Sequence, residues 1–269
     1  MIDTALRYFA QPGPTTNLSS YSDLVRELPS EPEALAKVVR GLIIHEGVVA
    51  HLGLQYSQER FADRTRVGAS AILERVLSFD RSPLGVERPV QNRMIGYCYH
   101  FAVLHCAFLR SKAVPARARC GFGAYFREDA WIDHWVVEYW DGGDWVIIDP
   151  DSGRDVVSAA DFRYAGLAWQ RCRDGDADPA RHGNHVLWGW DELRGSLVND
   201  VGAHNRVEVG EWSWCELIAV EHRDRPAPEL DARLDTLARL LSSDAELEEL
   251  QRLYGLEEGL QPPPDLFGG

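Results

Sequence analysis

Residues 96–102 read Gly96-Tyr97-Cys98-Tyr99-His100-Phe101-Ala102, and they start a helix on a cysteine. From Tyr97 to Lys112 the helical run is apolar on nearly every side, so it belongs inside the protein. Ala113-Val114-Pro115 ends it, because proline lacks the amide donor that a helix needs. A cysteine in a first helical turn differs physically from a mid-helix cysteine such as Cys106. The amide groups and dipole of a helix start favour a thiolate, and the same amides can donate to an oxyanion. The competing reading is a buried structural thiol with no chemical partner.

Two strand-like segments follow. Asp133-His134-Trp135-Val136-Val137-Glu138-Tyr139-Trp140 has a histidine near its head, and Trp145-Val146-Ile147-Ile148-Asp149-Pro150 ends in an aspartate. A thiolate attacks carbonyl carbon, an imidazole moves the proton and a carboxylate orients the imidazole. Cys98, His134 and Asp149 are therefore the candidate catalytic residues. The connection Trp140-Asp141-Gly142-Gly143 allows a test of register. A two-residue turn at Asp141-Gly142, the favoured type I′ sequence, pairs Trp140 with Gly143 and sets His134 opposite Asp149. A turn at Gly142-Gly143 moves the pairing by two and leaves them diagonal on one face. A three-residue loop would put them on opposite faces.

Working outward, the first ninety or so residues read as helical. Ser30-Glu31-Pro32-Glu33 is a helix start, with Ser30 as N-cap and Glu33 completing a capping box. The helix carries Leu35, Val38, Val39, Leu42 and Ile43 at three-and-four spacing. A second helix runs from about Gly68 to Phe79. Beyond the first helix quoted, Ala116 to Phe126 reads as a strand, Ser158 to Gln170 as a helix, Arg171 to Asn184 as a polar loop and His185 to Arg194 as a short helix. Glu211 to Val220 reads as a strand, Leu230 to Leu253 as two amphipathic helices, and the segment from Gln261 as a loose tail. The expected organisation is an N-terminal helical lobe (1–90), a core (91–225) and C-terminal helices with a tail (226–269).

Composition sets limits. The chain has 269 residues, 45% hydrophobic and 26% charged, the balance of a soluble globular protein. A net charge of −14 argues against nucleic acid or an anionic membrane as the main partner. Met1-Ile2-Asp3-Thr4-Ala5-Leu6-Arg7 lacks the apolar core of a signal peptide, and five irregularly spaced cysteines do not form a disulfide framework. The expectation is a reduced, cytoplasmic protein, with Cys106, Cys120, Cys172 and Cys215 as buried small side chains.

The stretch Gly96 to Phe126 resembles the core of the transglutaminase-like superfamily. The resemblance rests on Gly96-Tyr97-Cys98, Leu109-Arg110 and Pro115-Ala116-Arg117, followed by His134-Trp135-Val136-Val137-Glu138 and Trp145-Val146-Ile147-Ile148-Asp149, in the family's order. Arg119-Cys120-Gly121-Phe122-Gly123, Asp133-His134-Trp135 and Leu197 to Arg206 are similar to a bacterial subgroup of about this length. The resemblance implies an α+β, papain-like fold in which the nucleophile helix packs on an antiparallel sheet. It implies a thiol acyltransferase or hydrolase with Cys98 as nucleophile, His134 as base and acid and Asp149 as orienter. The reaction would form a thioester on an amide- or ester-bearing substrate, then transfer the acyl group to water or to an amine acceptor, with no cofactor. The alternative is a binding or scaffold protein that keeps the fold without the chemistry. The chain departs from the pattern at His100, where many relatives carry an acid. On a helix His100 lies about 200° from Cys98, so it should not touch the thiol.

Other residues carry weaker signals. Gln91, Tyr97 and Trp135 are candidates for substrate or oxyanion contact. His45-Glu46 and His51 miss the metalloprotease spacing, and His45 reads as a packed core histidine in a helix. His182-Gly183-Asn184-His185 lacks further ligands and reads as a surface loop, with no metal expected. His105, two turns below Cys98, reads as a buried, hydrogen-bonded residue. Arg117 and Arg119 alternate along one strand, and one of them is expected to pair with a buried carboxylate.

Overall fold

The computed structural model describes residues 2–210, 228–257 and 259–263. Its elements run in the order α1 (Ile2–Phe9), α2 (Ser22–Arg26), α3 (Pro32–Leu42), β1 (Ile43–His45), α4 (Glu46–His51), α5 (Gln58–Phe61), α6 (Ala69–Phe79), β2 (Met94–Gly96) and α7 (Cys98–Ser111). Then come β3 (Ala116–Gly123), β4 (Trp131–Trp140), β5 (Trp145–Ile148), β6 (Phe162–Tyr164), α8 (Ala165–Arg173), β7 (His182–Gly183), α9 (Trp190–His204), α10 (Pro228–Leu240) and α11 (Leu247–Leu256). The protein is α+β. One sheet has the strand order β5-β4-β3-β6 with β7 beside β4, and a second joins β1 to β2.

The described chain forms two compact units. The N-terminal unit takes Leu6–Ala118 and Val136–Val157, and the C-terminal unit takes Arg119–Trp135 with the described residues up to Ala5 and from Ser158 onward.

In the N-terminal unit, α7 is the central element, buried continuously from Cys98 to Arg110. Helices α2, α3 and α6 and both short strands pack around it. The α3 stripe of Leu35, Val39 and Leu42 is completely buried, and Ile72, Leu73 and Val76 do the same for α6. Two buried arginines of this interior meet polar partners. Arg110 at the end of α7 donates from Nε to the Ala116 carbonyl at 2.9 Å and from Nη1 to Thr16 Oγ1 at 2.7 Å. Arg117 meets Glu138 at 2.5 Å, both nearly sealed, and its guanidinium lies 4.1 Å from the centre of the Trp145 ring.

The paired part of the β4–β5 hairpin, Val137 to Ile148, also lies in this unit. Trp140 pairs with Trp145 and Val137 with Ile148, the register of the Gly142-Gly143 turn rather than of the favoured Asp141-Gly142 turn. The Asp141 side chain explains the choice. Its Oδ1 accepts from the amides of Gly143 at 2.8 Å and Asp144 at 2.9 Å, and the Asp141 amide donates to the Asp144 carbonyl. Gly142 has φ +107°, so the left-handed residue is the first central one, as in a type II′ turn.

The C-terminal unit is built on α9. Residues 191–204 of that helix are all buried, with α8, α10 and α11 packed on it. Phe122, Trp169, Leu193, Leu197, Val201, Leu234, Leu237 and Leu250 form its apolar core. On the polar side Arg119 grips Asp200 with two hydrogen bonds, Nε to Oδ1 and Nη2 to Oδ2, both 2.9 Å. The Cys120 amide adds a third bond to Oδ1 at 3.1 Å. β3 meets β6 antiparallel, Gly121 opposite Tyr164, and β4 meets β7 in parallel, Trp131 opposite His182.

Several elements differ from the sequence reading. Glu31, not Ser30, is the N-cap of α3, since its carbonyl receives the first helical bond from Leu35. Ile43 leaves that helix to pair with Met94. Ser158 to Gln170 divides into β6 and the start of α8, because Arg163 and Phe162 pair with Phe122 and Gly123. The expected polar loop Arg171 to Asn184 contains the end of α8 and all of β7, and the expected short helix is the fifteen-residue α9. The strand expected over Glu211 to Val220 and the residue Cys215 lie outside the described residues.

Candidate active site

Cys98 is the first residue of α7 and is 8% exposed, against 0% for Cys106 eight residues deeper. The helix start is set by Tyr97, whose backbone is extended (φ −133°, ψ 177°). Two bonds close it. The His100 amide donates to the Tyr97 carbonyl at 2.9 Å, and the Tyr97 amide donates to His100 Nδ1 at 3.2 Å. His100 thus occupies the third helical position of a capping box, where Glu or Gln usually reaches back to the N-cap amide. An imidazole that accepts at Nδ1 is neutral, and burial brings His100 down to about 3. The Tyr97 ring stands edge-on to His100, with centroids 4.6 Å apart. At Gly96 the backbone passes so close to this cap that a Cβ would sit 3.1 Å from His100 Cβ and from Ile43 Cγ2.

Asp149 follows β5 directly and is fully buried. Its amide donates to the Arg154 carbonyl at 2.9 Å. Its carboxylate receives three donors from the turn after it: the amides of Asp151 at 3.0 Å and Ser152 at 3.1 Å on Oδ1, and Ser152 Oγ at 2.5 Å on Oδ2. Arg40 Nη1 donates to the Pro150 carbonyl at 3.2 Å and fixes the same turn from α3. Charge-supporting donors of this kind keep a carboxyl ionised.

His45 belongs beside these residues in the N-terminal unit. It is the N-cap of α4, and its Nδ1 accepts from the Gly47 amide at 3.0 Å. Its Nε2 faces Asp151 Oδ2 at 3.6 Å, and its ring lies 6.5 Å from that of Phe101 in the first turn of α7. The sequence reading of a helical core histidine is corrected: His45 ends a strand, is half-buried, and lies between the first turn of α7 and the turn after Asp149. Only long-range pairing of β1 with β2 could have revealed this.

His134 lies in the C-terminal unit, four residues into β4, and is 4% exposed. Phe126 packs edge-on to it at 4.7 Å and Tyr125 at 6.1 Å, while Phe126 itself stays 45% exposed. Trp135, next along β4, is 1% exposed. Gln91 sits exposed on the turn Val90–Asn92, and its carbonyl accepts from Arg60 Nη1 at 3.0 Å. Tyr97 is half-buried at the mouth of α7.

The remaining sequence candidates resolve into packing roles. His105 is sealed, with Nε2 2.9 Å from the Pro32 carbonyl, and burial brings it down to about 4. His182 is not a surface residue: it is 1% exposed, stacked on Trp131 and 3.2 Å from Arg163 Nη1, and burial takes it to about 4. β7 pairing turns it inward. Both Arg117 and Arg119 meet buried carboxylates, where one was expected. Among the described residues, no group of three or more His, Cys, Asp or Glu is placed to hold a metal ion.

Comparison with known proteins places part of the chain in a family. Residues 72–150 match the model of the transglutaminase-like superfamily, a span that contains Cys98, His134 and Asp149. The chain therefore carries a transglutaminase-like core within an α+β fold. A solved structure described as "a Putative Cysteine Protease from Cytophaga hutchinsonii" is 17% identical, with a TM-score of 0.35. That likeness is distant: it covers 58% of this chain and spans 44% of that one, less than half its length. No curated protein matches the chain. Among the described residues, no helix is long and apolar enough to cross a membrane.

Proposed function

We propose that this protein is a thiol enzyme acting on an amide or ester carbonyl. In this reading Cys98 attacks and forms a thioester, His134 takes the thiol proton and returns it to the leaving group, and Asp149 orients the imidazole. The first-turn amides of α7 stabilise the tetrahedral oxyanion. Gln91, Tyr97 and Trp135 are the side chains proposed to meet substrate. Water as acceptor gives hydrolysis, and an amine acceptor gives a new amide. The chemistry needs a reduced thiol, and the four described cysteines stand as thiols rather than disulfides, so a reducing, cytoplasmic setting is part of the proposal.

The observation that carries this reading is the place of Cys98 as first residue of a buried helix whose cap is a neutral ring. Asp149 adds to it, since three donors hold its carboxylate.

The test uses p-nitrophenyl acetate and iodoacetamide on the full chain. Intact mass should show an acetyl group on Cys98, lost in Cys98→Ala and not formed in His134→Ala. Iodoacetamide at neutral pH should label Cys98 at least tenfold faster than Cys106, Cys120 or Cys172. Equal labelling of the four, or acetylation that persists in Cys98→Ala, would overturn the assignment. Adding a primary amine during turnover separates transfer from hydrolysis by product mass.

A further inference from the structure

The C-terminal unit holds a carboxyl pair that the proposed chemistry does not use. Glu192, Ser196 and Asn199 recur at intervals of four and three on one side of α9 and are 1%, 0% and 6% exposed. Asp133 of β4 meets this row. Its Oδ1 receives the Ser196 hydroxyl at 3.0 Å and the Cys120 thiol, from β3, at 3.6 Å. Successive strand residues point to opposite faces, so Asp133 turns toward α9 while His134 turns the other way.

We infer that Asp133 is a positioning residue for His134: its carboxylate, held by Ser196 and Cys120 on the α9 face of β4, biases the imidazole of the next residue toward its protonated form. The inference rests on the reading of His134 as the base. An anion behind the ring stabilises the imidazolium that forms when the thiol gives up its proton.

The donors decide which carboxyl of the pair carries the charge. Asp133 has two. Glu192 has one, the Asn184 side chain, and its Oε2 has no hydrogen-bond partner among the described residues. Two facing acids in a dry site share one proton, and it goes to the one with fewer donors. Burial, and then the Asp133 charge, push the Glu192 carboxyl up to about 9, in keeping with a neutral Glu192. Asp133 is also raised by burial, against which Ser196, His134 and Cys120 act. The other charged or titratable groups here are few. Asp191 on α9 faces Arg194 at 3.6 Å, Arg119 and Asp200 satisfy each other, and on the His134 side stands Tyr125.

The test is an NMR titration of the His134 ring in the full chain. Asp133→Asn should lower its midpoint by about one pH unit, and Asp133→Glu should restore most of the shift. Glu192→Gln should leave the midpoint within a few tenths of a unit. Ser196→Ala keeps both carboxyls, removes one donor, and should move the midpoint in the direction of Asp133→Asn; it decides the matter if Asp133→Asn does not fold. An unmoved midpoint in Asp133→Asn or in Ser196→Ala overturns the inference. So does a midpoint that falls with Glu192→Gln alone. Failure of the enzyme reading looks different: Cys98 would label no faster than the other thiols and would ignore His134→Ala, whatever the ring titration shows.

Discussion

Ser152 holds Asp149 by its hydroxyl, with Oγ 2.5 Å from Oδ2 and the Ser152 amide 3.1 Å from Oδ1. One residue thus touches both oxygens of the carboxylate, from a turn that the chain reaches only three positions later. Such a grip fixes the plane of the carboxylate, as the proposed role of orienting an imidazole requires. Removing the hydroxyl leaves a buried oxygen short of a charge-assisted bond. Ser152→Ala should cost about 1.5–3 kcal/mol in urea unfolding and lower the rate of Cys98 acetylation, with labelling of Cys106 unchanged.

Arg119 and Asp200 are 3% and 0% exposed and meet fork to fork. A buried pair broken from one side leaves the other charge stranded. Arg119→Met and Asp200→Asn should each destabilise the protein by about 3–5 kcal/mol. The double variant should cost much less than their sum, and a double-mutant cycle in urea would measure the difference.

Stability should peak near pH 6.5. His100, His105 and His182 have folded values of about 3, 4 and 4, below the ordinary imidazole value. A depressed value means stability is present above the unfolded pKa and is lost as pH falls toward the folded one. Glu192, raised to about 9, acts in the opposite sense: its contribution is full below the ordinary carboxylate value and fades as pH rises toward 9. Between about pH 4.5 and 6.5 three protons enter the unfolded chain for one retained by the folded, so the acid side should fall by up to about 3 kcal/mol per pH unit. Glu192→Gln should flatten the alkaline side and steepen the acid side, because the proton held by folded Glu192 no longer offsets the three histidine protons. Urea midpoints from pH 5 to 9 would show both.

The cap of α7 depends on close approach. Gly96→Ala would press a methyl group within 3.1 Å of His100 and Ile43, and His100→Ala would leave the Tyr97 amide without its acceptor. Each should cost about 1–2 kcal/mol. Each should also slow iodoacetamide labelling of Cys98 relative to unfolded controls, because the helix start that favours the thiolate frays.

The residues that carry local rules were legible without coordinates. The α7 start, its stop at Pro115, and the strands bearing His134 and Asp149 follow from apolar runs, glycine and proline. The hairpin register was legible only as two options, since the Asp141 carboxylate that selects Gly142-Gly143 acts through its bonds to Gly143 and Asp144. α9 was read short because its inner face carries Asp191, Glu192, Arg194, Ser196 and Asp200. In a sequence these look solvated. Their partners, Arg119, Asp133 and Asp231, stand thirty-seven or more positions away, and only the fold brings them in. His182 and His45 were misread for the same reason: strand pairing with distant segments decides their exposure.

A carboxylate in the seat of His100 would serve the backbone equally well, but it would set an anion within a turn of the sulfur and disfavour any negative charge there. The ring completes the same loop of bonds while contributing no net charge, and at about 3 it stays neutral through the whole physiological range. The electropositive end of α7 is thereby left undiluted for whatever negative atom comes to rest there.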